Sequence, residues 1–287
     1  MRYDAIGLNK FLARCGGLMI YETLTVSLTG GIADVVLNRP DKSNAMNRQM
    51  WNDIRDVFRK LDDMPETRAI ILSGTGKHFS AGIDLAMLSE ITQTAGGCHA
   101  REREKLRSTI LDLQDVITSL ETCRKPVIAA IHGACIGGGV DLICAADMRY
   151  CSADANFIVK EIELGFVADV GALQRLPKLI GDSMARELAY TGRPFSGPEA
   201  KEMGFVNRCY GSRDDMMAGV AEIARSIAAK SPLAIRGTKE MLLYARDHSV
   251  AESLKYMAIW NAALLQSEDL GEAFAALREK RTPKFRD

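Results

Sequence analysis

The chain has 287 residues, 47% of them apolar and 26% charged, with basic and acidic side chains balanced at 37 each. This is the composition of a globular protein with one large domain or a domain plus an appendage, and zero net charge excludes a general polyanion binder such as a non-specific nucleic-acid protein. No stretch approaches 18 consecutive apolar residues, so no membrane span is expected.

Residues 1–19 form an N-terminal extension in which Arg2, Lys10 and Arg14 are spaced among apolar residues. The pattern faintly resembles a mitochondrial presequence, while Asp4 and the lack of serine argue for a plain extension. The chain ends KFRD, without a peroxisomal tripeptide. Residues 21–28 and 32–37 are β-rich runs parted by Gly30-Gly31, a hairpin signal. Residues 47–64 place Met50, Trp51, Ile54, Val57, Phe58 and Leu61 at helical spacing. A buried strand at 69–73 empties into the loop GTGKHFSAGID. A second amphipathic helix is expected over 102–123, with Leu106, Ile110, Leu113, Ile117 and Leu120 on one face.

After Lys125-Pro126 come a buried strand at 127–132, a glycine turn at 133–139 and a helix opening near Val140. Short strands follow at 148–152 and 156–159. Strands thus alternate with helices up to about residue 160, the pattern of an α/β core. From residue 170 the chain is predicted mostly helical, over 170–180, 183–191, 198–203, 214–230, 233–246, 250–266 and 270–280. Helices appended to an α/β half commonly mediate subunit contacts. The seven cysteines (Cys15, Cys98, Cys123, Cys135, Cys144, Cys151 and Cys209) include no C-x-x-C pair. They read as reduced thiols of an intracellular protein, without a metal site.

Two loops share one plan, a buried strand, a glycine-containing turn and a helix start. One is His78-Phe79-Ser80-Ala81-Gly82-Ile83-Asp84 and the other centres on Gly137-Gly138-Gly139. Backbone N–H groups at a helix start lack partners, and glycine lets a ligand approach them closely. If the two turns converge they can hold one oxygen between two donors, an oxyanion hole; each alone could equally be a tight turn. Three carboxylates, Asp141, Glu161 and Asp169, follow at spacings of 20 and 8 within apolar or glycine-rich sequence. A carboxylate is costly to bury without a partner, so three in this setting suggest a proton-transfer site. The plainer readings are Asp141 complementing a helix dipole, Glu161 pairing with Lys160 or Arg149, and Asp169 capping the helix from residue 170. His132 reads as strand-end packing, and His78 has no assigned role. Met87, Leu88 and Ile91 suit either an acyl chain or helix packing.

KHFSAGIDL, followed by KPVIAAIHGACIGGGVDL, resembles the crotonase (enoyl-CoA hydratase/isomerase) superfamily. The N-R-P…N-A-M segment at 38–46, LPKLIG and GFVNRCY share the resemblance, which covers roughly residues 20–280. Within the superfamily, Asp141, Glu161 and Asp169, with GGGVDL, VKEIELGFVADVG and RDHSVAESL, match the pattern of the Δ3,5-Δ2,4-dienoyl-CoA isomerases. Hydratases typically carry glutamate where Asp141 stands and no carboxylate like Asp169.

The resemblance implies an α/β fold of the crotonase (ClpP-like) type. A spiral of ββα units would form a catalytic core over 20–210, and a helical region over 211–287 would drive assembly into a homotrimer or homohexamer. It implies that the Ile83 and Gly138 amides hold a thioester oxygen, and that Ala81, Gly82, Ile83, Asp84, Leu85 and Gly138 contact the acyl-CoA substrate. Glu161 would be the base at C2, Asp169 the acid at C6, and Asp141 the group that tunes Glu161. No cofactor is called for, coenzyme A being part of the substrate. The implied setting is β-oxidation of unsaturated fatty acids, in the mitochondrial matrix ahead of the peroxisome or cytoplasm. The competing expectations are an enoyl-CoA hydratase on the same scaffold and a non-catalytic assembly protein.

Overall fold

The computed structural model describes residues 18–93 and 97–287, so the presequence reading, carried by Arg2, Lys10 and Arg14 and opposed by Asp4, lies outside the described residues. Strand β1 (Leu18–Ile20) pairs antiparallel with β2 (Leu24–Thr29), and β2 with β3 (Ile32–Leu37). The second of these turns closes with Thr29 opposite Ile32, and Gly30 and Gly31 take φ of 59° and 82°, the left-handed backbone a two-residue hairpin demands. Helix α1 (Arg48–Asp63) buries the face its apolar spacing predicts, and Asn47 caps it by accepting from the Met50 amide. Then come β4 (Ala69–Gly74), α2 (Leu85–Thr92), α3 (His99–Thr122), β5 (Val127–Ile131), β6 (Ala134–Ile136), α4 (Gly138–Cys144), β7 (Met148–Ser152) and β8 (Asn156–Ile158).

All seven predicted C-terminal helices form: α5 (Ala172–Ile180), α6 (Asp182–Thr191), α7 (Gly197–Glu202), α8 (Arg213–Ala228), α9 (Pro232–Ala245), α10 (Val250–Leu264) and α11 (Glu268–Glu279). Two short strands that the sequence did not announce interrupt them, β9 (Phe195–Ser196) and β10 (Arg208–Tyr210). The segment 133–139, expected to be all turn, contains β6, because its hydrogen-bond partners lie on β8, twenty-two residues later.

The strands divide into a seven-stranded sheet, ordered β1-β2-β3-β4-β5-β7-β10, and a three-stranded sheet, ordered β6-β8-β9. From β3 to β10 every pairing in the larger sheet is parallel. Each of β5 and β7 lies in the large sheet, while the strand after it, β6 or β8, lies in the small one. Ser80 adds a one-residue parallel bridge to Cys135, so the loop after β4 also touches the small sheet. Successive ββα units therefore step one strand along both sheets, which is a spiral. The inner strands are apolar on both faces, as parallel strands covered on both sides require. Ile70 and Leu72 enter the main core, while Ala69 and Ile71 pack with Ile128, Ala130 and Tyr150 under Met216, Val220 and Ala224 of α8.

Candidate active site

The carboxyl ends of parallel strands lie on one edge of a sheet, and that edge is where such sheets build sites. In the small sheet three chain segments leave by it. The Ser80 bridge leads in three residues to Ile83, β6 leads in two to Gly138, and β8 leads in three to Glu161. Register brings Ile136 beside Ile158, so the second and third exits are neighbours.

The two glycine turns converge. A β-carbon added at Gly138 would lie 3.6 Å from the Ile83 nitrogen, and one added at Gly82 would lie 3.3 Å from the Gly138 nitrogen. Gly82 has φ of 86°, and its added β-carbon would meet the Ile136 carbonyl at 2.6 Å, so only glycine fits there. A parallel bridge between Met46 and Ile83 uses the Gly82 carbonyl and the Asp84 amide, which turns the Ile83 amide away from the Met46 segment. Neither the Ile83 nor the Gly138 amide donates to a protein acceptor among the described residues. At two of the other predicted contact positions the backbone amides are paired within the protein. Ala81 N–H donates to the Ser43 carbonyl, and Gly82 N–H to Ser80 Oγ. Asp84 caps α2 and pairs with Arg39 at 3.1 Å. The Leu85 side chain is exposed.

Asp141 sits in the first turn of α4, fully buried. Its Oδ1 accepts the Ala172 amide at 2.5 Å, so it caps α5 from a distance of thirty-one residues, while its Oδ2 has no partner. Burial first, and then the nearby Glu161 charge, push its carboxyl up to about 8. Glu161 opens a 3-10 turn ended by Gly165 in the left-handed region. Its Oε1 lies 3.0 Å from where a β-carbon on Gly137 would stand, and its Oε2 is buried without a partner. Burial raises its pKa, and Asp169 adds to the rise. The pairings that offered Glu161 a plainer role are absent. Lys160 instead pairs with Glu163, and Arg149 donates to the carbonyls of Phe205, Ala146 and Ile143.

Asp169 is half-buried, and burial raises its pKa also. It does not cap the following helix, which begins two residues later than predicted with Gly171 (φ 135°) at its N-cap. The Asp169 carbonyl accepts from Gln114 Nε2 at 2.6 Å. Asp169 also lines a cavity of about 420 Å³ with Gln114, Thr118, Glu121, Gln174 and Arg175. Asp141 and Glu161 thus stand beside two unclaimed amides, and Asp169 is near enough to both carboxyls for its charge to raise their pKa values. His132 is buried at the strand end with Nε2 against the Gly76 carbonyl, and burial lowers its pKa; His78 Nδ1 accepts the Ala134 amide. Met87 is buried in the core.

Residues 27–287 match the family model described as enoyl-CoA hydratase/isomerase. The chain belongs to the enoyl-CoA hydratase/isomerase family. It is 48% identical over 270 residues to the peroxisomal Delta(3,5)-Delta(2,4)-dienoyl-CoA isomerase of Arabidopsis thaliana, covering 92% of this chain and 97% of that one. It is 47% identical over 267 residues to the mitochondrial enzyme of that name from Homo sapiens, covering 92% and 81%. A probable enoyl-CoA hydratase of Mycobacterium bovis is 33% identical over 267 residues, covering 93% and 99%. Among solved structures, an enoyl-CoA hydratase from Bacillus anthracis superposes with a TM-score of 0.85 at 29% identity, covering 92% and 99%.

Sequence reasoning missed the residues that hold this family member's turns in place. Asn44, fully buried with φ of 54°, accepts from the Arg39 amide and donates to the carbonyls of Thr75 and His78. Ser80 Oγ donates to the Asn44 carbonyl and accepts from Gly82, and Trp51 Nε1 donates to the Met46 carbonyl. The available signal was the K-S-N-A-M string, since asparagine is enriched at left-handed positions. Among the described residues, no helix is long and apolar enough to cross a membrane.

Proposed function

We propose that this chain is a Δ3,5-Δ2,4-dienoyl-CoA isomerase of the β-oxidation of unsaturated fatty acids, working in the mitochondrion or the peroxisome. The observation that carries the reading is Asp169. It adds a third carboxyl to the edge where Asp141, Glu161 and the Ile83 and Gly138 amides meet. In this reading the thioester oxygen lies between the two amides. Glu161, as carboxylate, takes a proton from C2, and the C2–H electron pair enters the conjugated system as a dienolate. Its charge collects on the thioester oxygen, where preorganised donors are typically worth about 3–4 kcal/mol. Asp169, as the acid, delivers a proton to C6. The double bonds then stand at C2 and C4, with Glu161 protonated and Asp169 ionised. The polar cavity beside Asp169 offers a route for regaining its proton from solvent.

One carboxyl cannot serve both carbons comfortably, and two sites with opposite starting protonation states are needed. Burial shifts both carboxyls toward the neutral form, and this reading gives the proton to Asp169 and the charge to Glu161 before the reaction. Asp141 acts through others, by capping α5 and by standing beside Glu161, whose charge raises its pKa. No step calls for a cofactor. We also assign assembly into a homotrimer or homohexamer to the C-terminal helices. Helix α10 has no buried residue, and Leu254 and Ile259 on it, with Phe274 and Leu277 on α11, are between 64% and 76% exposed.

The test is direct. Purified protein is expected to convert a 3,5-dienoyl-CoA to the 2,4-conjugated ester, read as new ultraviolet absorbance. Efficient hydration of crotonyl-CoA with the dienoyl ester left untouched would replace this reading with the hydratase.

A further inference from the structure

We propose that Gln114 is the positioning residue for the acid of the reaction. It would hold the Asp169 backbone so that the carboxyl faces C6, a role that rests on the isomerase reading above. The Asp169 side chain makes no hydrogen bond to another residue's side chain among the described residues, so its direction is inherited from its backbone. Two bonds from different elements grip that backbone. Gln114 Nε2 on α3 donates to the Asp169 carbonyl at 2.6 Å, and Asp141 Oδ1 on α4 accepts the Ala172 amide at 2.5 Å. Between the two grips, Gly171 takes φ of 135°, a conformation with little intrinsic preference for one direction of the chain.

Helix α3 is built for the task. Leu113, Val116, Ile117 and Leu120 seat it in the core. Along the margin of that face, Gln114, Thr118 and Glu121 recur at intervals of four and three, one polar seam on one side of the helix. All three residues of the seam reach the same partner segment. Gln114 takes the loop at Asp169, while Thr118 and Glu121 take Arg175 one turn into α5, at 3.4 Å and at 2.9–3.1 Å. The Arg175–Glu121 pair docks the helix whether or not Gln114 is present. Gln114 alone addresses the catalytic position. Neither it nor the seam hydrogen-bonds to Glu161, Ile83 or Gly138 among the described residues; those positions are carried by the small sheet and the Asn44–Ser80 network.

Losing Gln114 should therefore separate the two proton transfers. The measurement pairs isomerisation of a 3,5-dienoyl-CoA with exchange of its C2 hydrogen for deuterium in D2O, read by mass spectrometry. In Gln114→Leu, isomerisation is expected to fall about 10- to 100-fold, the effect of a small misplacement, with C2 exchange and KM within about threefold of wild type. Gln114→Glu keeps the side-chain length but donates only when protonated. Relative to wild type, its isomerisation should recover as the pH is lowered, a response that a purely structural defect would not give. Loss of both reactions together in a folded Gln114→Leu, loss of neither, or no acid recovery in Gln114→Glu overturns the assignment. Wild-type protein that isomerises normally keeps the isomerase reading in each of those cases. Wild-type protein that neither isomerises nor exchanges overturns that reading and this one with it.

Discussion

On the amide side of the site, Asn44, Ser80, Trp51 and Arg39 are each paired, and together they lock the turn that carries Ile83. On the carboxyl side, Asp141 Oδ2 and Glu161 Oε2 are buried without partners, and Asp169 is held only through its backbone. In the proposed mechanism the contrast follows from what each side must do. Donors that meet a charge developing on the substrate work best when fixed beforehand, so their supports are fully satisfied. Carboxyls that must gain and lose protons cannot be satisfied in the same way. Each hydrogen bond given to the ionised form would pull the pKa down and remove the acid from the neutral range. Under-satisfaction of buried polar atoms, usually a defect, is in that mechanism the condition for proton transfer.

The largest effect should come from breaking the carboxyl side at its acid. Asp169→Asn keeps the shape of the side chain but cannot deliver a proton. Isomerisation should fall by about 10²- to 10⁴-fold, the usual contribution of a positioned acid, while CoA-ester binding and C2 exchange persist. Unchanged turnover would remove Asp169 from the chemistry. Breaking the amide side should look different. Gly82→Ala forces a β-carbon to 2.6 Å from the Ile136 carbonyl at a φ of 86° and moves the Ile83 amide. Isomerisation and C2 exchange should then fall together, by about 10²- to 10³-fold, with about 1–3 kcal/mol of stability lost to strain. If exchange survived in Gly82→Ala as it does in Asp169→Asn, the two sides would not be separate devices.

How much of this could be read in advance also divides along the contrast. The Gly30-Gly31 hairpin, α1, the inner strands and the C-terminal helices declared themselves through local periodicity and turn residues. Strand β6 did not, because three residues between glycines carry no period and their pairing with β8 is settled over a long sequence distance. Strands β9 and β10, of two and three residues, fail for the same reason. In the site, the carboxylates stood out as charges in apolar sequence, although their separate roles came from family likeness. Their supports did not stand out. Gln114 looks like any polar residue on an amphipathic helix until the fold brings Asp169 to it, and Asn44 and Ser80 look like loop residues until their carbonyl partners converge.

The remaining effect is on stability rather than turnover, and its sign is fixed by where Asp141 holds its proton. Its pKa rises from an ordinary 3.8 to about 8 on folding, chiefly through burial. Between those values the folded protein retains a proton that the unfolded chain has released, so stability must fall as pH rises through that window and level off above it. Below the lower value both states are protonated and the contribution is fully present. Asp141→Asn keeps an oxygen for the Ala172 amide and removes the titration. Denaturant unfolding across pH 4 to 9 should therefore show wild type losing stability relative to the variant, by on the order of a few kcal/mol over the window. Glu161 and Asp169, raised in the same direction, also slope both curves downward, so the difference between the curves reports Asp141 together with its coupling to Glu161. Parallel curves would mean that Asp141 is ionised in the folded protein. The unpartnered Oδ2 beside Glu161 would then be a buried charge rather than a held proton, and the carboxyl side would lose the property that sets it apart from the amides.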